Sequence, residues 1–597
     1  MHFQKRHQST RAGGLGTVRG PSSSEKKTLV VKDPASIALT VPQSLAIQSF
    51  VMKSFILSAL VAAAHAFPSH KHSKSSNLID DISIISKHWG QLSPYSENPD
   101  DIFGVEHVGL PDGCQVEQAH TLQRHSNRFP TSAFDDGAND ANFGAKIAAY
   151  TSATNNTDKF TGPLSFLNSW GITFKPTGLL TGLGAASEFQ SGVMFWNRYG
   201  RTLYNASVAQ LAYNASFTNG TARPKPVLRT TDQSRIENSQ INWSLGFFGT
   251  SFQTVPNKEL EGFADPFDLV IIPEGFEGVN DTLASYDSCI NGGYVEPLYE
   301  LGDLDILTYL PIYLTDATAR LQKYAPDGLT FTLNDTYAMQ SICAYEMGYI
   351  GQSDFCGLFT LDEWTGFENT LDMEYYYDYS YGSPSGRAQG IGYLQELLAR
   401  LQNEYIFTSN SSVNSTITNN PRDFPLGRPF YADFSHDDIL ISVMTAMSLD
   451  YFKDPPSLTE YPPDPNRKFI LSQITPFTAR LNTEVIGCSS PNPTSQKKHR
   501  TQYKPGQYGY DPANAPHKFI RMRLNSGILP LETIRGGGCE GRSDGLCGLE
   551  DFIESQKDAY ELSQYDWACF GNYTIANPTS GQDFDGAVVP KGGSTVY

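Results

Sequence analysis

The chain has 597 residues, 39% of them hydrophobic, 12% aromatic and 18% charged, a balance that supports a large core and excludes an intrinsically disordered protein. Its 63 acidic against 44 basic side chains give a net charge of −19, which repels nucleic-acid phosphates and excludes an extended nucleic-acid interface. An anionic ligand would need a locally basic pocket in an otherwise acidic protein.

Residues 1–51 are rich in Ser, Gly, Lys and Arg without a sustained apolar period, and read as a non-native or disordered N-terminal extension. Met52 and Lys53 then precede an apolar run over 55–64 and the small-residue pattern Ala64-His65-Ala66, the form of a secretory signal peptide over 52–66. The run is short for a bilayer, so no membrane association is expected once it is cleaved. An uncleaved signal anchor with a short basic tail is the alternative. Residues 67–110 are polar with scattered Ile79, Ile82, Ile84 and Ile85, and predict an N-terminal wrap over a surface.

The main domain is expected over 111–597. Residues 116–123 read as a strand that delivers Arg124 and His125 at its carboxyl end. Phe189, Val193, Trp196 and Tyr199 predict a helix over 185–199, and Ile236, Ile241 and Leu245 another over 234–248. The apolar run 267–272, stopped by Pro273, predicts a buried strand. Leu394, Leu397, Leu398 and Leu401 place a helix over 393–401. A strand is expected at 430–434, a helix at 439–449 and a half-buried strand at 519–524. Interleaved strands and helices predict an α/β sheet. Helix-rich stretches near 140–225 and 295–420 predict a second, smaller, mainly helical lobe inserted into it. The tyrosine-rich run 375–381 reads as packing or lobe surface.

Ten Asn-x-Ser/Thr acceptors, at Asn155, Asn205, Asn214, Asn219, Asn242, Asn280, Asn334, Asn410, Asn414 and Asn572, predict a glycosylated surface. All eight cysteines lie beyond residue 66, an even number suited to disulfides, with the connectivity left open. No Cys-x-x-Cys or His-x-x-x-His spacing supports a zinc site. These features predict a secreted, extracellular protein, with the cell wall as a further address.

Chemistry concentrates in Arg124-His125-Ser126-Asn127-Arg128-Phe129-Pro130. Guanidinium forks match phosphate oxygens, and a neutral imidazole attacks phosphorus. The bland reading is a surface basic cluster with a satisfied histidine. Two glycine-rich stretches carry no comparable chemistry. Gly536-Gly537-Gly538 lacks the lysine and helix of a phosphate loop, and no clear strand precedes Arg387 to Gly392.

The basic segment resembles the Arg-His-Gly-x-Arg-x-Pro signature of the histidine acid phosphatases, which include the fungal phytases. His436 and Asp437, within the segment Tyr431 to Asp438, resemble the family's downstream His-Asp pair. The segment Arg229 to Arg235 resembles its Arg-x-Thr-x-x-x-Arg element. Further likeness runs through 355–364, 389–401 and 476–480, so that it covers about 105–575. The resemblance implies a phosphoglycerate-mutase-like sheet flanked by helices. It also implies the pairs Cys114–Cys488, Cys289–Cys569, Cys343–Cys356 and Cys539–Cys547.

By the same resemblance His125 is the nucleophile and Asp437 the proton donor, while Arg124, Arg128, Arg235 and His436 bind the phosphoryl group. No metal or cofactor is expected, because arginines supply the charge neutralisation. Ser126 departs from the family's glycine, where a Cβ would crowd the backbone's approach. The expected activity is hydrolysis of small-molecule phosphate monoesters through a phosphohistidine, with broad specificity that extends to phytate. A dedicated phytase is the alternative. Phytases that strongly prefer phytate carry a lysine pair in the region of 372–376, where this chain has acidic and aromatic residues, and Asp135 and Asp136 follow the first motif. A catalytically silent secreted phosphate- or partner-binding glycoprotein and a phosphomutase-type enzyme are the readings from other classes. Oligomeric state is not legible from the sequence.

Overall fold

Seven segments join the expected strand after residue 111 in one mixed sheet. The computed structural model describes residues 77–155, 157–252, 265–275, 279–499, 506–590 and 596–597. The expected N-terminal extension, the signal peptide and the first ten residues of the wrap lie outside the described residues. The strands are β1 (Cys114–Arg124), β2 (Val227–Thr231), β3 (Asp268–Ile272), β4 (Phe430–Ser435), β5 (Arg480–Cys488) and β6 (His517–Leu524), with two-residue β7 (Gly527–Ile528) and β8 (Cys547–Gly548). Their order is β3-β2-β4-β1-β5-β6-β7, and β8 pairs with β6. The first four in that order run parallel; β5, β6 and β7 are antiparallel. Parallel neighbours need long crossovers, and the helices supply them, which makes the central sheet flanked by helices that the sequence predicts.

One sheet face sends Ala119, Leu228, Phe430, Ala432 and Phe434 into an aromatic cluster with Phe195, Trp243 and Phe247. The last three come from helices Gly182–Phe195 and Ser234–Phe248. These two helices touch backbone to backbone. A Cβ on Gly192 would lie 2.0 Å from the Trp243 carbonyl oxygen, and one on Gly246 2.0 Å from that of Phe189. Leu122, on the alternate face of β1, joins the larger core with helices Gly386–Gln402 and Asp437–Ala446. Helices Leu301–Tyr313, Leu333–Ile350 and Leu361–Tyr379 lie between β3 and β4 in the chain. Capping boxes at Thr332 with Asp335 and at Thr360 with Glu363 start the second and third of these. Tyr375, Tyr376, Tyr377 and Tyr381 are buried, as the packing reading of that run requires.

Two strands differ from expectation. The run 267–272 is an edge strand, with Leu269 and Ile271 40% and 44% exposed, because among the described residues β2 is its one strand neighbour and no element covers those side chains. The strand at 519–524 is buried on both faces rather than half-buried. Its Arg521 and Arg523 donate from Nε to Glu484 on β5 at 2.6 and 3.1 Å, so the alternating polar face is an internal ion-pair layer. From the N-terminal segment, Ile85, Trp89 and Leu92 enter the core.

Beneath the carboxyl ends of the parallel strands lies a second buried ion network. Arg229 on β2 is in register with Asp433 on β4 and donates to it from Nε at 2.7 Å. Arg400 donates to the same carboxylate at 2.6 Å, and Arg229 also reaches Glu396 at 2.8 Å. Burial alone would raise the Asp433 pKa, but Arg229 and Arg400 hold it well below the usual carboxylate range. Asp433→Asn leaves two buried guanidinium groups short of one charge. It is expected to destabilise the fold by about 3–5 kcal/mol, read from denaturant unfolding.

The cysteines bond as Cys114–Cys488, Cys289–Cys569, Cys343–Cys356 and Cys539–Cys547, the pairs that the resemblance implies. No helix among the described residues is long and apolar enough to cross a membrane.

Candidate active site

Open sheets with parallel strands bind ligands beyond the strands' carboxyl ends, where loops and helix N-termini converge. Here all four parallel strands contribute there. Arg124 ends β1 opposite Ser435, the last residue of β4, so His125 and His436 leave the sheet side by side. Their ring centroids are 5.8 Å apart. Asp437 follows as the first residue of its helix, Arg235 sits in the first turn of the helix after β2, and Glu274 lies two residues beyond β3.

His125 is 1% exposed, and its Nδ1 lies 2.9 Å from the carbonyl oxygen of Ser126. A carbonyl only accepts, so Nδ1 carries the proton and Nε2 keeps its lone pair. Burial, then Arg235, Arg124, Arg128 and His436, push the His125 pKa well below that of a free imidazole. These surroundings favour the neutral ring.

The arginines are held from behind. Arg124 donates through Nη1 to the carbonyls of Gln91 and, at 2.7 Å, Thr475, and its Nη2 pairs with Asp437. Arg128 pairs with Asp136 and reaches the Tyr345 hydroxyl at 3.3 Å. Arg235 Nη2 lies 3.4 Å from His436 Nδ1. Burial would raise the Asp437 pKa, but Arg124, Arg128 and His436, with a hydrogen bond from Tyr375, bring it below the ordinary value. An anion bound between the arginines would offset their charge and let the Asp437 pKa rise.

Glu274 and Tyr286 belong to the cluster although the sequence analysis did not single them out. His436 Nε2 donates to Glu274 at 2.9 Å and approaches the Tyr286 hydroxyl at 3.2 Å. Burial pushes Glu274 up, but His436 and then Arg235 draw it down to about 2. The available signal for Glu274 was its place just past an apolar strand stopped by Pro273; nothing local marks Tyr286.

Ser126 is fully buried and lies outside the left-handed region. Its Oγ accepts from Thr478 Oγ1 at 2.7 Å. The serine Cβ is accommodated without backbone strain.

A buried histidine faced by arginines and by an acid on a helix N-terminus is an arrangement able to support phosphoryl transfer. The model of the histidine phosphatase superfamily (branch 2) matches residues 115–503, and the chain belongs to this family; it is a phosphoric monoester hydrolase. Phytase A of Aspergillus oryzae is 27% identical over 497 residues, 81% of this chain and 91% of that protein. Phytase A of Aspergillus fumigatus is 28% identical over 503 residues, 82% and 92% of the two chains. The crystal structure of the phytase from D. castellii superposes with a TM-score of 0.59 at 21% identity, covering 82% of this chain and 88% of that one.

Asp136, the partner of Arg128, follows Asp135 in the chain, and Asp135 belongs to a buried acidic cluster. Asp135, Asp303 and Glu374 bring ligand atoms within 4.8 Å of one another. Burial raises Asp135 to about 6 and Glu374 well above the ordinary value, so in acid these groups hold protons rather than repel one another. Burial also raises Asp305 and Asp438 to about 7. A carboxyl with a raised folded-state pKa contributes stability that is fully present below its unfolded pKa and is lost as pH rises through the folded value. The lowered values of the buried His120 and His125 act the other way, but the raised carboxyls outnumber them, so the melting temperature is expected to fall between about pH 4 and pH 7. Calorimetry at a series of pH values checks this, and a melting temperature that rises over that window contradicts it.

Proposed function

We propose that this protein is a secreted acid phosphatase of broad specificity, acting on simple phosphate monoesters and, in acid, on phytate. Convergence of His125, three arginines, His436 and Asp437 at the carboxyl ends of the parallel strands carries this reading. Arg124, Arg128 and Arg235 hold the phosphoryl oxygens and neutralise the charge that spreads in the transition state. His436 donates to one of those oxygens, with Glu274 setting its ring. Nε2 of His125 attacks phosphorus in line while Asp437 gives its proton to the departing alcohol oxygen. Water then takes the phosphoryl group from the histidine, with the Asp437 carboxylate accepting the water's proton. Low pH favours the protonated donor, and the depressed His125 pKa keeps the nucleophile neutral under the same conditions.

Broad specificity is favoured by the acidic surroundings of Arg128. Asp136 pairs with it and offsets part of its charge, which weakens the pull on a polyanionic substrate. The Phytase A relatives favour the second reading, a dedicated phytase. Relative kcat/KM for phytate and for p-nitrophenyl phosphate across acid pH separates the two. Broad specificity predicts that the simple ester is turned over at least as efficiently; a strong preference for phytate overturns it.

Export is supported by the signal-like pattern over 52–66, the four disulfides and the acceptor asparagines. Eight of the ten acceptors are exposed, and Asn242 and Asn414 are half-buried.

A further inference from the structure

We propose that Thr478 is a positioning residue for the nucleophile, acting through Ser126 to fix the peptide that orients the His125 ring. This inference rests on the reading of His125 given above.

Thr478 is the one β-branched residue with positive φ among the described residues, at +65°. That region brings the Cβ of an L residue against its own backbone, and β-branching makes it worse. Backbone strain of this kind persists only where the surroundings over-determine it, and it gathers at functional sites. Thr478 is 1% exposed, and its surroundings are the nucleophile loop itself. Its N–H donates to the carbonyl of His125 at 3.1 Å, and its hydroxyl donates to Ser126 Oγ at 2.7 Å. The next residue, Ala479, accepts from the Arg124 N–H at 2.8 Å. The preceding Phe477 lies under the Arg124 guanidinium, 4.5 Å from ring centroid to Cζ, and 6.2 Å from the His125 ring. Three consecutive residues, 477–479, thus back 124–126 directly.

The opposite side of the loop is held as well. His125 N–H donates to the Ser435 carbonyl at 3.0 Å, and Ser126 N–H to Ser239 Oγ at 3.3 Å. The Ser126 hydroxyl accepts from Thr478 and donates to Asn127 Oδ1 at 3.3 Å. What this grip fixes is the Ser126–Asn127 peptide, whose carbonyl takes the Nδ1 proton of His125. With that carbonyl in place, the tautomer and the tilt of the ring are set, and Nε2 keeps its lone pair. A glycine at 126 would offer no hydroxyl to hold. The serine and the strained threonine form one device.

Three variants test it: Thr478→Ser keeps the hydroxyl, Thr478→Val keeps the shape without it, and Thr478→Gly releases both the hydroxyl and the strain. The expected result is a kcat for p-nitrophenyl phosphate lowered about tenfold to hundredfold in the valine and glycine variants, since small misplacements of a reacting group cost this much. KM should stay within about twofold, because the arginines are untouched, and the serine variant should keep most of the kcat. The glycine variant should melt no lower than wild type, which separates lost positioning from lost folding. Wild-type kcat in Thr478→Gly, or a loss of activity in all three variants that follows a loss of melting temperature, overturns the inference. His125→Ala, assayed alongside, distinguishes the failures. If it retains activity, the reading of the site is wrong and this inference falls with it; if it is inactive while the Thr478 variants match wild type, only the inference fails.

Discussion

Replacing His125 with alanine is expected to lower kcat for p-nitrophenyl phosphate on the order of 10⁴- to 10⁶-fold, the range in which removing a covalent nucleophile falls. The size of the effect follows from the environment of the ring. Its Nδ1 proton is committed to the Ser126 carbonyl, so a single lone pair remains, on Nε2, in a ring that feels the charge of Arg235, Arg124 and Arg128. Neither neighbour can replace it: Asp437 pairs with Arg124, and His436 is held by Glu274 and Tyr286. The fold should tolerate the change. A neutral imidazole buried beside cations contributes no ion pair, and the strand that carries it is fixed by β4 and β5 on either side. Steady-state kinetics and thermal unfolding of the same preparation give the two readouts, and near wild-type turnover in a folded His125→Ala protein contradicts the assignment.

Asp437→Asn is expected to lower kcat by about 10²- to 10⁴-fold for esters of ordinary alcohols, the usual contribution of a positioned proton donor. The loss should be much smaller for p-nitrophenyl phosphate, whose leaving group departs readily as an anion. That dependence on the leaving group is the useful part. A purely structural role for Asp437, as the partner of Arg124 at the start of its helix, would penalise both esters equally. The lowered pKa of Asp437 sharpens the point. In the free enzyme Arg124, Arg128 and His436 favour its ionised form against the cost of burial. A bound phosphate ester draws on the same cations, so the donor gains its proton more readily once substrate is present. The basic limb of the kcat profile should accordingly lie at higher pH than the ionisation of Asp437 in the free enzyme.

Much of this site was legible because its chemistry is contiguous in the chain. Arg124, His125 and Arg128 share one strand end, where residue type pointed to an anion site, whereas His436 and Asp437, at another strand end, stood out only through the family resemblance. Glu274 was not legible for the opposite reason. It is a lone acid, and its meaning comes from the parallel placement of β3 beside β2, which brings residue 274 against His436 across 162 positions of sequence. Thr478 was hidden differently, since its importance lies in a backbone angle rather than a side-chain type.

The misread strands share one cause. An apolar run such as 267–272 records what a segment is able to bury, while its place at the sheet edge decides what is buried. Arg521 and Arg523 read as a solvent face by alternation, yet Glu484 on the adjacent strand turns that face inward. Pairing between strands far apart in sequence is the information that local periodicity lacks.

Trapping a covalent phosphoenzyme on His125 is the most direct measurement. The wild-type protein, mixed with a rapidly cleaved monoester and quenched in alkali within one turnover, would be digested and analysed by mass spectrometry. The account predicts a phosphoryl group on the peptide that contains His125, absent from His125→Ala. Full turnover with no phosphorylated peptide, or with the phosphoryl group on another residue, would contradict it.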